Sequence, residues 1–388
     1  MYTYKVAIAF QVFWSINLRS ELKKIILLLF VAYLCLSCSN SDMEHEFNKR
    51  TVLVYMAADN SLYRNANSDI DEMLAVEIPS GYNLLVYMDT PNNNPSLLKI
   101  KKGKIDTLNQ YGAQNSASKQ VLKSIIDETF SLFPAESYGL VLWSHGTGWL
   151  PEGVYDYIKE TNVRSFGKDK SKEMEITDLA EAIPGNLDFI IFDACLMSGI
   201  EVLYQLRNKT KIIIASPTET LVAGFPYENT IPVLLTPHPN YIEIASLFME
   251  YYKNRDGKLR SASIAVIDTK ELEPLANLVK NTVKDKANLV CPNREFIQRY
   301  DTREPALLFD FEDYLEHIIS NESYLAALRK QISKAVIYND FTPYFLDEIS
   351  IERSSGIGIY IPFADDALFE QYSLLDWYKD SELFCAKY

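Results

Sequence analysis

Short apolar runs recur along the chain from Thr51 onward, and amphipathic stretches separate them. Each run is rich in β-branched or aromatic residues, as in TVLVYM at Thr51–Met56 and LDFIIF at Leu187–Phe192. Runs of this length and composition are typical of buried β-strands. The pattern predicts strands at Thr51–Met56, Tyr82–Met88, Tyr138–Trp143, Leu187–Phe192, Lys211–Ala215, Ser263–Ile267 and Gly356–Ile361.

The stretches between these runs carry helical periodicity. Residues 59–61 (DNS) supply turn and N-cap chemistry before the first of them. A small hairpin is predicted at Leu97–Leu108, with residues 102–104 (KGK) at its turn. We predict helices at Asn65–Val76, Ser118–Phe133, Ile176–Ala182, Ser198–Arg207 and Tyr241–Lys253, and further helices to about Val336. Because strands alternate with helices, the sequence predicts an α/β fold in which helices cover both faces of a mostly parallel sheet.

A different pattern precedes Thr51. A net-basic region at residues 19–24 is followed by an apolar run at Ile25–Leu36, which is too short to span a bilayer comfortably but is typical of a signal peptide. The run closes on the sequence LSCS at Leu36–Ser39, which resembles a bacterial lipobox. Cys38 is therefore the predicted lipidated first residue of the mature protein. An ordinary cleaved signal or a short transmembrane anchor is the alternative.

These patterns divide the chain into three parts. A lipoprotein-type signal is predicted over residues 1–38, a polar tether over residues 39–50, and a folded domain over residues 51–388 with a C-terminal helical extension from about residue 270. The location that follows is the bacterial cell envelope, where a lipid anchor would hold the domain facing the periplasm or at the cell surface. We expect a monomer.

Composition narrows the range of functions. The chain has 388 residues, of which 48% are hydrophobic and 23% charged, so it can build a large core and is not globally disordered. Its formal net charge of −14 argues against nucleic acid as a partner, because sequence-independent binding to phosphates needs positive charge. The same charge is compatible with cationic substrates. The spacing of the cysteines indicates neither a zinc site nor a disulfide framework. The five cysteines are Cys35, Cys38, Cys195, Cys291 and Cys385.

Two predicted strand ends carry the residue types that a thiol nucleophile needs. His145 and Gly146 follow the Tyr138–Trp143 run, and Cys195 follows the Leu187–Phe192 run. Because reactive groups lie beyond the carboxyl ends of strands in open α/β sheets, we expect Cys195 to be a nucleophile and His145 its base. A helix that begins shortly after Cys195 would favour the thiolate, and the N–H groups of Gly146 and Cys195 would bind the oxyanion. Taken singly, such a cysteine is usually a small buried hydrophobe and such a histidine usually structural.

Four blocks of sequence resemble the clostripain family of cysteine peptidases, which belongs with caspases, legumains and gingipains. They are YMAADN at Tyr55–Asn60, LWSHG at Leu142–Gly146, FDACLM at Phe192–Met197 and SGIGIYIP at Ser355–Pro362. The resemblance implies a caspase-like α/β/α sandwich, a Cys–His dyad and cleavage after Arg or Lys. The dyad carries over to His145 and Cys195.

The same resemblance implies an acidic specificity pocket and self-cleavage. Asp193 would form the base of the pocket, because a carboxylate just before the nucleophile can pair with a cationic side chain. The alternative is an aspartate that caps the following helix or orients a loop. Residues 216–219 (SPTE) are the expected wall of the pocket. The polar segment Gly146–Lys172 is the expected site of self-cleavage, unless it is merely a solvated loop. Its basic residues are Lys159, Arg164, Lys168, Lys170 and Lys172.

The sequence gives little support for a required cofactor or for another class of hydrolase. The dyad requires no cofactor; some members of the family need calcium, but the carboxylates of this chain form no defined calcium loop. The sequence contains neither the GxSxG elbow of a serine hydrolase nor the HExxH motif of a zinc protease. The remaining alternative is a non-catalytic surface lipoprotein whose peptidase-like fold binds peptides or glycans. The presence of both His145 and Cys195 favours an enzyme that acts on peptides or proteins containing Arg or Lys.

Overall fold

A computed structural model describes residues 48–151, 166–170, 172–284, 292–303, 306–362 and 367–384. The signal, Cys38 and the tether before Asn48 lie outside the described residues, as do Lys159 and Arg164 of the polar segment. Within the described ranges, no helix is both long enough and apolar enough to cross a bilayer.

The strands predicted from apolar runs are present, several of them longer by one to three residues at an end. In chain order, the strands are β1 Asn48–Ala57, β2 Tyr82–Asp89, β3 Ser96–Lys101, β4 Lys104–Gln110, β5 Ala135–Trp143, β6 Phe166–Asp169, β7 Lys172–Met174, β8 Leu187–Asp193, β9 Thr210–Ala215, β10 Ser263–Asp268, β11 Leu308–Asp310, β12 Val336–Phe341, β13 Tyr344–Phe345, β14 Ile349–Ser350 and β15 Gly358–Tyr360. Nine of them form one sheet in the order β12-β10-β9-β8-β5-β1-β2-β3-β4.

The sheet is mixed, with a parallel centre and antiparallel edges. Strands β9, β8, β5, β1 and β2 run parallel to one another. Strands β3 and β4 extend one edge, and β10 and β12 the other, all through antiparallel pairs. Residues of the central strands are buried on both faces of the sheet, which explains why their sequences are continuously apolar and do not alternate.

Helices cover both faces of this sheet. They are α1 Tyr63–Ala75, α2 Lys119–Leu132, α3 Ile176–Ala182, α4 Ile200–Gln205, α5 Tyr227–Leu234, α6 Tyr241–Lys253, α7 Leu272–Val283, α8 Phe311–Ile318, α9 Glu322–Ala335, α10 Phe369–Tyr372 and α11 Asp376–Ser381. One core cluster joins the sheet to α1, α5 and α6, and a larger one joins the opposite face to helices that include α2, α3, α4, α7, α8 and α9. The predicted α/β/α sandwich is therefore confirmed.

The C-terminal part differs from the expectation in two ways. The late apolar run forms β15, but this strand pairs with β11 in a separate two-stranded sheet and does not enter the central one. The edge of the central sheet is instead β12, where helices were predicted to continue as far as Val336. Helix α9 ends at Ala335 and β12 begins at the next residue, because Val336 and Ile337 are β-branched and favour an extended backbone. The part of the chain after residue 270 thus contains strands as well as helices.

Candidate active site

The carboxyl ends of β5 and β8 lie side by side in the sheet. The two strands are parallel neighbours, and Trp143 at the end of β5 is in register with Asp193 at the end of β8. His145 and Cys195 follow these positions, and the structure brings both residues to one cavity of about 310 Å³. The cavity is lined by Leu62, Trp143, Ser144, His145, Asp193, Ala194, Cys195, Glu219, Thr220, Leu221, Val222, Gly224, Thr302 and Arg303.

A strained turn carries the thiol into this cavity. Leu196 has φ of +63°, a left-handed conformation that costs a branched residue about 1–2 kcal/mol. The turn persists because it is bonded to the loop after β9: the Leu196 N–H donates to the carbonyl of Thr218 at 2.8 Å. Two residues further along the chain, the Ser198 N–H donates to the carbonyl of Ser216 at 3.0 Å. Strain that the surrounding structure sustains in this way is characteristic of functional sites.

The helix after Cys195 is shorter and later than predicted. The sequence suggested a helix from Ser198 to Arg207, but α4 spans only Ile200–Gln205. The predicted start of this helix is therefore wrong by two residues. Because the effect of a helix N-terminus falls off within its first turn, the later start weakens the argument for a dipole, and support of the thiolate by α4 stays a prediction.

The environment of the thiol favours its neutral form. The sulfur accepts a hydrogen bond from the Thr220 N–H at 3.2 Å, and the thiol donates to the Thr220 carbonyl at 3.6 Å. Burial raises the pKa of Cys195 to about 12, the Thr220 N–H opposes this shift, and the negative charge of Glu219 adds to it. A base must therefore remove the thiol proton during any attack by sulfur.

The imidazole is neutral and is held by a contact with Ser61. His145 Nε2 lies 3.1 Å from the hydroxyl of Ser61. Burial lowers the pKa of His145 to about 4, and the positive charge of Lys168 lowers it further. At neutral pH the ring is therefore unprotonated and able to accept a proton. Among the described contacts, no hydrogen bond joins the imidazole to the thiol; both groups face the cavity between them.

Gly146 brings the histidine loop against the nucleophile loop. A Cβ on Gly146 would lie 2.6 Å from the Cys195 carbonyl oxygen and 3.0 Å from the sulfur of Met197, so only glycine fits here. Neither the Gly146 N–H nor the Cys195 N–H donates to another residue that the structure describes. Of these two predicted oxyanion donors, Cys195 lines the cavity and Gly146 lies against its loop, and their role stays a prediction.

Asp193 lines the same cavity as the thiol and the imidazole. It is 5% exposed, and its Oδ2 accepts hydrogen bonds from the Phe225 N–H at 3.1 Å and the Tyr227 hydroxyl at 2.9 Å. Gly224 packs directly on the carboxylate, where a Cβ would lie 2.5 Å from Oδ2. Burial raises the pKa of Asp193 to about 6, so the group is ionised at neutral pH. It does not cap the following helix; it orients the loop at Gly224–Tyr227 and lines the cavity at the same time.

Several cavity residues were not singled out by the sequence. Glu219 belongs to the expected wall, but its neighbours come from a distant segment: the Thr302 hydroxyl donates to Glu219 at 3.3 Å, and Arg303 forms an ion pair with it at 3.8 Å. Ser61 and Thr220 also approach from loops. No sequence signal identifies such residues, because their positions depend on how separate strand-end loops meet.

A sandwich of this kind, with a thiol and an imidazole at neighbouring strand ends, defines the class of caspase-like cysteine peptidases. Comparison with known proteins specifies the family. The model of the clostripain family, peptidase C11, matches residues 54–382, so the chain belongs to the clostripain family. It is a cysteine-type endopeptidase, a hydrolase of peptide bonds.

Relatives and solved structures agree with this assignment. The chain is 25% identical to clostripain of Hathewaya histolytica over 376 residues, which cover 87% of this chain and 67% of that protein. It is 36% identical to an inactive zymogen C11 protease from Parabacteroides distasonis, with a TM-score of 0.76 over 86% of this chain and 97% of that one. A secreted C11 cysteine protease from Bacteroides thetaiotaomicron, solved with an irreversible peptide inhibitor, is 31% identical, with a TM-score of 0.73 over 87% of this chain and 99% of that one.

Proposed function

We propose that this endopeptidase cleaves after Arg or Lys, with Cys195 as the nucleophile and His145 as the base. The observation that carries the proposal is the position of Asp193. Its buried carboxylate lines the cavity that the thiol and the imidazole also line, and no Lys or Arg of the described segments forms an ion pair with it. A buried carboxylate without a counter-ion is costly unless a cation binds there, and a basic substrate side chain supplies one.

The proposed reaction follows from these positions. A basic side chain enters the cavity toward Asp193 and places the next carbonyl carbon at the sulfur of Cys195. As the sulfur attacks, the neutral imidazole of His145 takes the thiol proton, and the N–H groups of Gly146 and Cys195 donate hydrogen bonds to the carbonyl oxygen as it becomes negative. The imidazolium then protonates the leaving amine, which departs from a thioester. Water, deprotonated by His145, hydrolyses the thioester and restores the thiol.

The test of the proposal uses fluorogenic peptides in matched charged and neutral pairs. We expect release after Arg and Lys and much slower release after citrulline, which has the shape of Arg without its charge. Alkylation with iodoacetamide should abolish release. No turnover of any basic peptide, before or after limited treatment with trypsin, would overturn the proposal. In Asp193→Asn, an unchanged preference for Arg over citrulline would place the specificity elsewhere.

We also propose that the chain cuts itself within the polar segment Gly146–Lys172. Two basic residues of this segment, Lys159 and Arg164, lie between the dyad residues in sequence, and one similar protein was solved as an inactive zymogen. The purified chain should yield two fragments, whereas Cys195→Ala should stay intact. Replacing Lys159 and Arg164 by Gln should block or shift the cut. Two fragments from a purified Cys195→Ala chain would contradict self-cleavage.

The proposed location is the bacterial envelope, through a lipid on Cys38. The lipobox-like sequence before Cys38 and the polar tether after it support this proposal. The chain should incorporate labelled fatty acid and partition into detergent, and Cys38→Ser should do neither. Equal labelling of both chains would contradict the anchor.

No step of the proposed reaction uses a metal ion. Activity that EDTA removes and calcium restores would add a calcium requirement.

A further inference from the structure

Trp143 lines the cavity beside Asp193. The two residues are cross-strand neighbours in the register of β5 and β8, and both line the cavity. Trp143 belongs to the core cluster that faces α1, α5 and α6, together with Phe189 and Ile191 of β8. Because side chains alternate along a strand, Asp193 points to the same face as Ile191. The indole and the carboxylate therefore stand next to each other at the site that a basic side chain would enter.

A second buried carboxylate fixes this indole. Trp143 Nε1 donates a hydrogen bond of 2.7 Å to Oδ2 of Asp69 on α1, and Asp69 is only 3% exposed. This bond uses the single polar atom of the indole. With that atom engaged, the rest of the indole is carbon, and Trp143 is 3% exposed in the absence of a substrate. The face of such a ring attracts cations.

The surroundings of the indole contain negative charge that no described residue neutralises. No Lys or Arg of the described segments pairs with Asp69, Glu72 or Asp193. Glu72 follows Asp69 on α1 and accepts a hydrogen bond of 2.8 Å from the Tyr227 N–H. Burial, with the charge of Asp193 second, raises the pKa of Asp69 to about 8, so this carboxyl is protonated at neutral pH. Glu219 and Arg303, which also line the cavity, form an ion pair with each other at 3.8 Å. Asp193 is then the charged lining residue without a partner of opposite sign among the described residues, matched to one cationic side chain.

We propose that Trp143 is a second specificity-determining residue of the basic pocket, and that Asp69 is the positioning residue that holds its ring. The inference rests on the proposed cleavage after basic residues. The cation lies against the indole of Trp143 while it pairs with Asp193. A guanidinium stacks on an aromatic face better than an ammonium because it is planar and more weakly hydrated, so the pocket prefers Arg to Lys.

The first test compares the preference for charge among variants of the indole. The readout is the ratio of kcat/KM for a peptide ending in Arg to that for its citrulline twin, which cancels effects on the chemical step. We expect Trp143→Leu to lower this ratio about ten- to thirty-fold and Trp143→Phe, which keeps a smaller ring, only about three-fold. Trp377→Phe is the matched control, because Trp377 is equally buried but lies on α11 in the other core cluster. An unchanged ratio in both Trp143 variants, with cleavage of Arg peptides intact, would overturn this inference and leave the proposed function standing.

The second test separates the positioning role of Asp69 from a general loss of stability. Asp69→Asn keeps an acceptor for the indole N–H and matches the neutral carboxyl, so its ratio should stay within about two-fold of the parent. Asp69→Ala removes the acceptor and should raise KM for the Arg peptide several-fold while kcat for the citrulline peptide changes little. Equal effects of Asn and Ala, or an equal loss on both peptides, would contradict the assignment.

A binding measurement tests the contact between the indole and the cation in variants whose kcat/KM is too low to compare. In Cys195→Ala, benzamidine should change the tryptophan emission, and neutral benzamide should not. The change should vanish when Trp143→Phe is added and persist when Trp377→Phe is added. A response to benzamide equal to that to benzamidine, or a response that survives Trp143→Phe, would overturn the contact between the indole and the cation.

Discussion

The two loops that face the cavity leave neighbouring strands at the same edge of the sheet, but they are held in different ways. The nucleophile loop after β8 is bonded to the loop after β9, through the Leu196 N–H to Thr218 and the Ser198 N–H to Ser216. The histidine loop after β5 is bonded to β6: the Gly167 N–H donates to the His145 carbonyl at 3.1 Å.

The two loops also differ in which parts of the chain supply their hydrogen bonds. The hydrogen bonds of the nucleophile loop come from the loop after β9 and from the chain at β15, where the Ser198 hydroxyl donates to the Gly356 carbonyl at 2.6 Å and the Gly358 N–H donates to the Ser198 carbonyl at 2.9 Å. Those of the histidine loop come from a short strand that directly follows residues 152–165, which contain Lys159 and Arg164, two of the basic candidates for self-cleavage. The Lys168 N–H adds a bond of 3.1 Å to the hydroxyl of Ser144, which in turn donates to the Ala57 carbonyl at 2.6 Å. The position of the base is thus tied to the polar segment, and the position of the nucleophile is not.

The largest effect should come from removing the base. We expect His145→Ala to reduce hydrolysis of Arg peptides by about 10³-fold, the range expected for a general base. Because the nucleophile loop has its own supports, iodoacetamide should still modify Cys195 at pH 9, where hydroxide can remove the thiol proton in place of the imidazole. His317→Ala is the control, since His317 lies beside Asp313 on α8 and does not line the cavity. A folded His145→Ala chain whose Cys195 iodoacetamide no longer modifies at pH 9 would show that the two loops are not independent.

The next largest effect concerns the place where the two loops touch. Gly146→Ala would force a Cβ within 2.6 Å of the Cys195 carbonyl oxygen and so displace one of the two proposed oxyanion donors. We expect kcat to fall by about 10²-fold with little change in KM, because the donor acts in the transition state. Gly112→Ala is the control, as its Cβ would meet nothing within 4 Å. A rise in KM alone would mean that Gly146 contributes to substrate binding and not to the oxyanion site.

The sequence predicted those parts of the fold whose residues are buried on both sides. The strands β1, β5 and β8 are continuous apolar runs because helices cover both faces of the sheet. Strand β12 was missed because its six residues are half-buried or exposed and follow a helix without a break, so no apolar run marks it. The hairpin of β6 and β7 was missed for a related reason: Phe166 and Met174 are its few buried apolar residues, within a segment that is otherwise polar.

The candidate site divides in the same way. His145, Asp193 and Cys195 were predicted together because they lie at or just after neighbouring strand ends, and the structure brings all three to one cavity. Arg303 and Trp143 could not be predicted in this way. The position of Arg303 depends on a loop far along the chain, and the role of Trp143 depends on its register with Asp193, which no local pattern encodes. The positions of strand ends can thus be inferred from the hydrophobic pattern of the sequence. The residues that line the cavity between those ends can be identified only when the order of the strands in the sheet is known.

A smaller effect should appear in the pH dependence of peptide cleavage, because Asp193 and His145 gain protons over different pH ranges. The pKa of Asp193 is raised to about 6 and that of His145 is lowered to about 4, both chiefly by burial. As pH falls from 6 toward 4, Asp193 gains a proton and loses its charge while His145 stays a neutral base. The ratio of kcat/KM for Arg and citrulline peptides should therefore fall roughly tenfold over this window. In Asp193→Asn the ratio should be flat; parallel profiles for both peptides in the parent would contradict the separation.

The smallest effect tests whether β6 supports the histidine loop alone. Gly167 has φ of +73°, so Gly167→Ala strains the residue that donates to the His145 carbonyl by about 1–2 kcal/mol. We expect kcat to fall about three- to tenfold, because the imidazole moves away from the thiol. The rate of Cys195 alkylation at pH 9, where hydroxide can remove the thiol proton, should stay the same. Gly103→Ala carries a similar penalty at φ of +65° in the turn between β3 and β4, where a Cβ meets nothing within 4 Å, and should leave kcat unchanged. If Gly167→Ala slowed alkylation as much as hydrolysis, β6 would support both loops. The two loops would then differ in their hydrogen-bond partners but not in their dependence on β6.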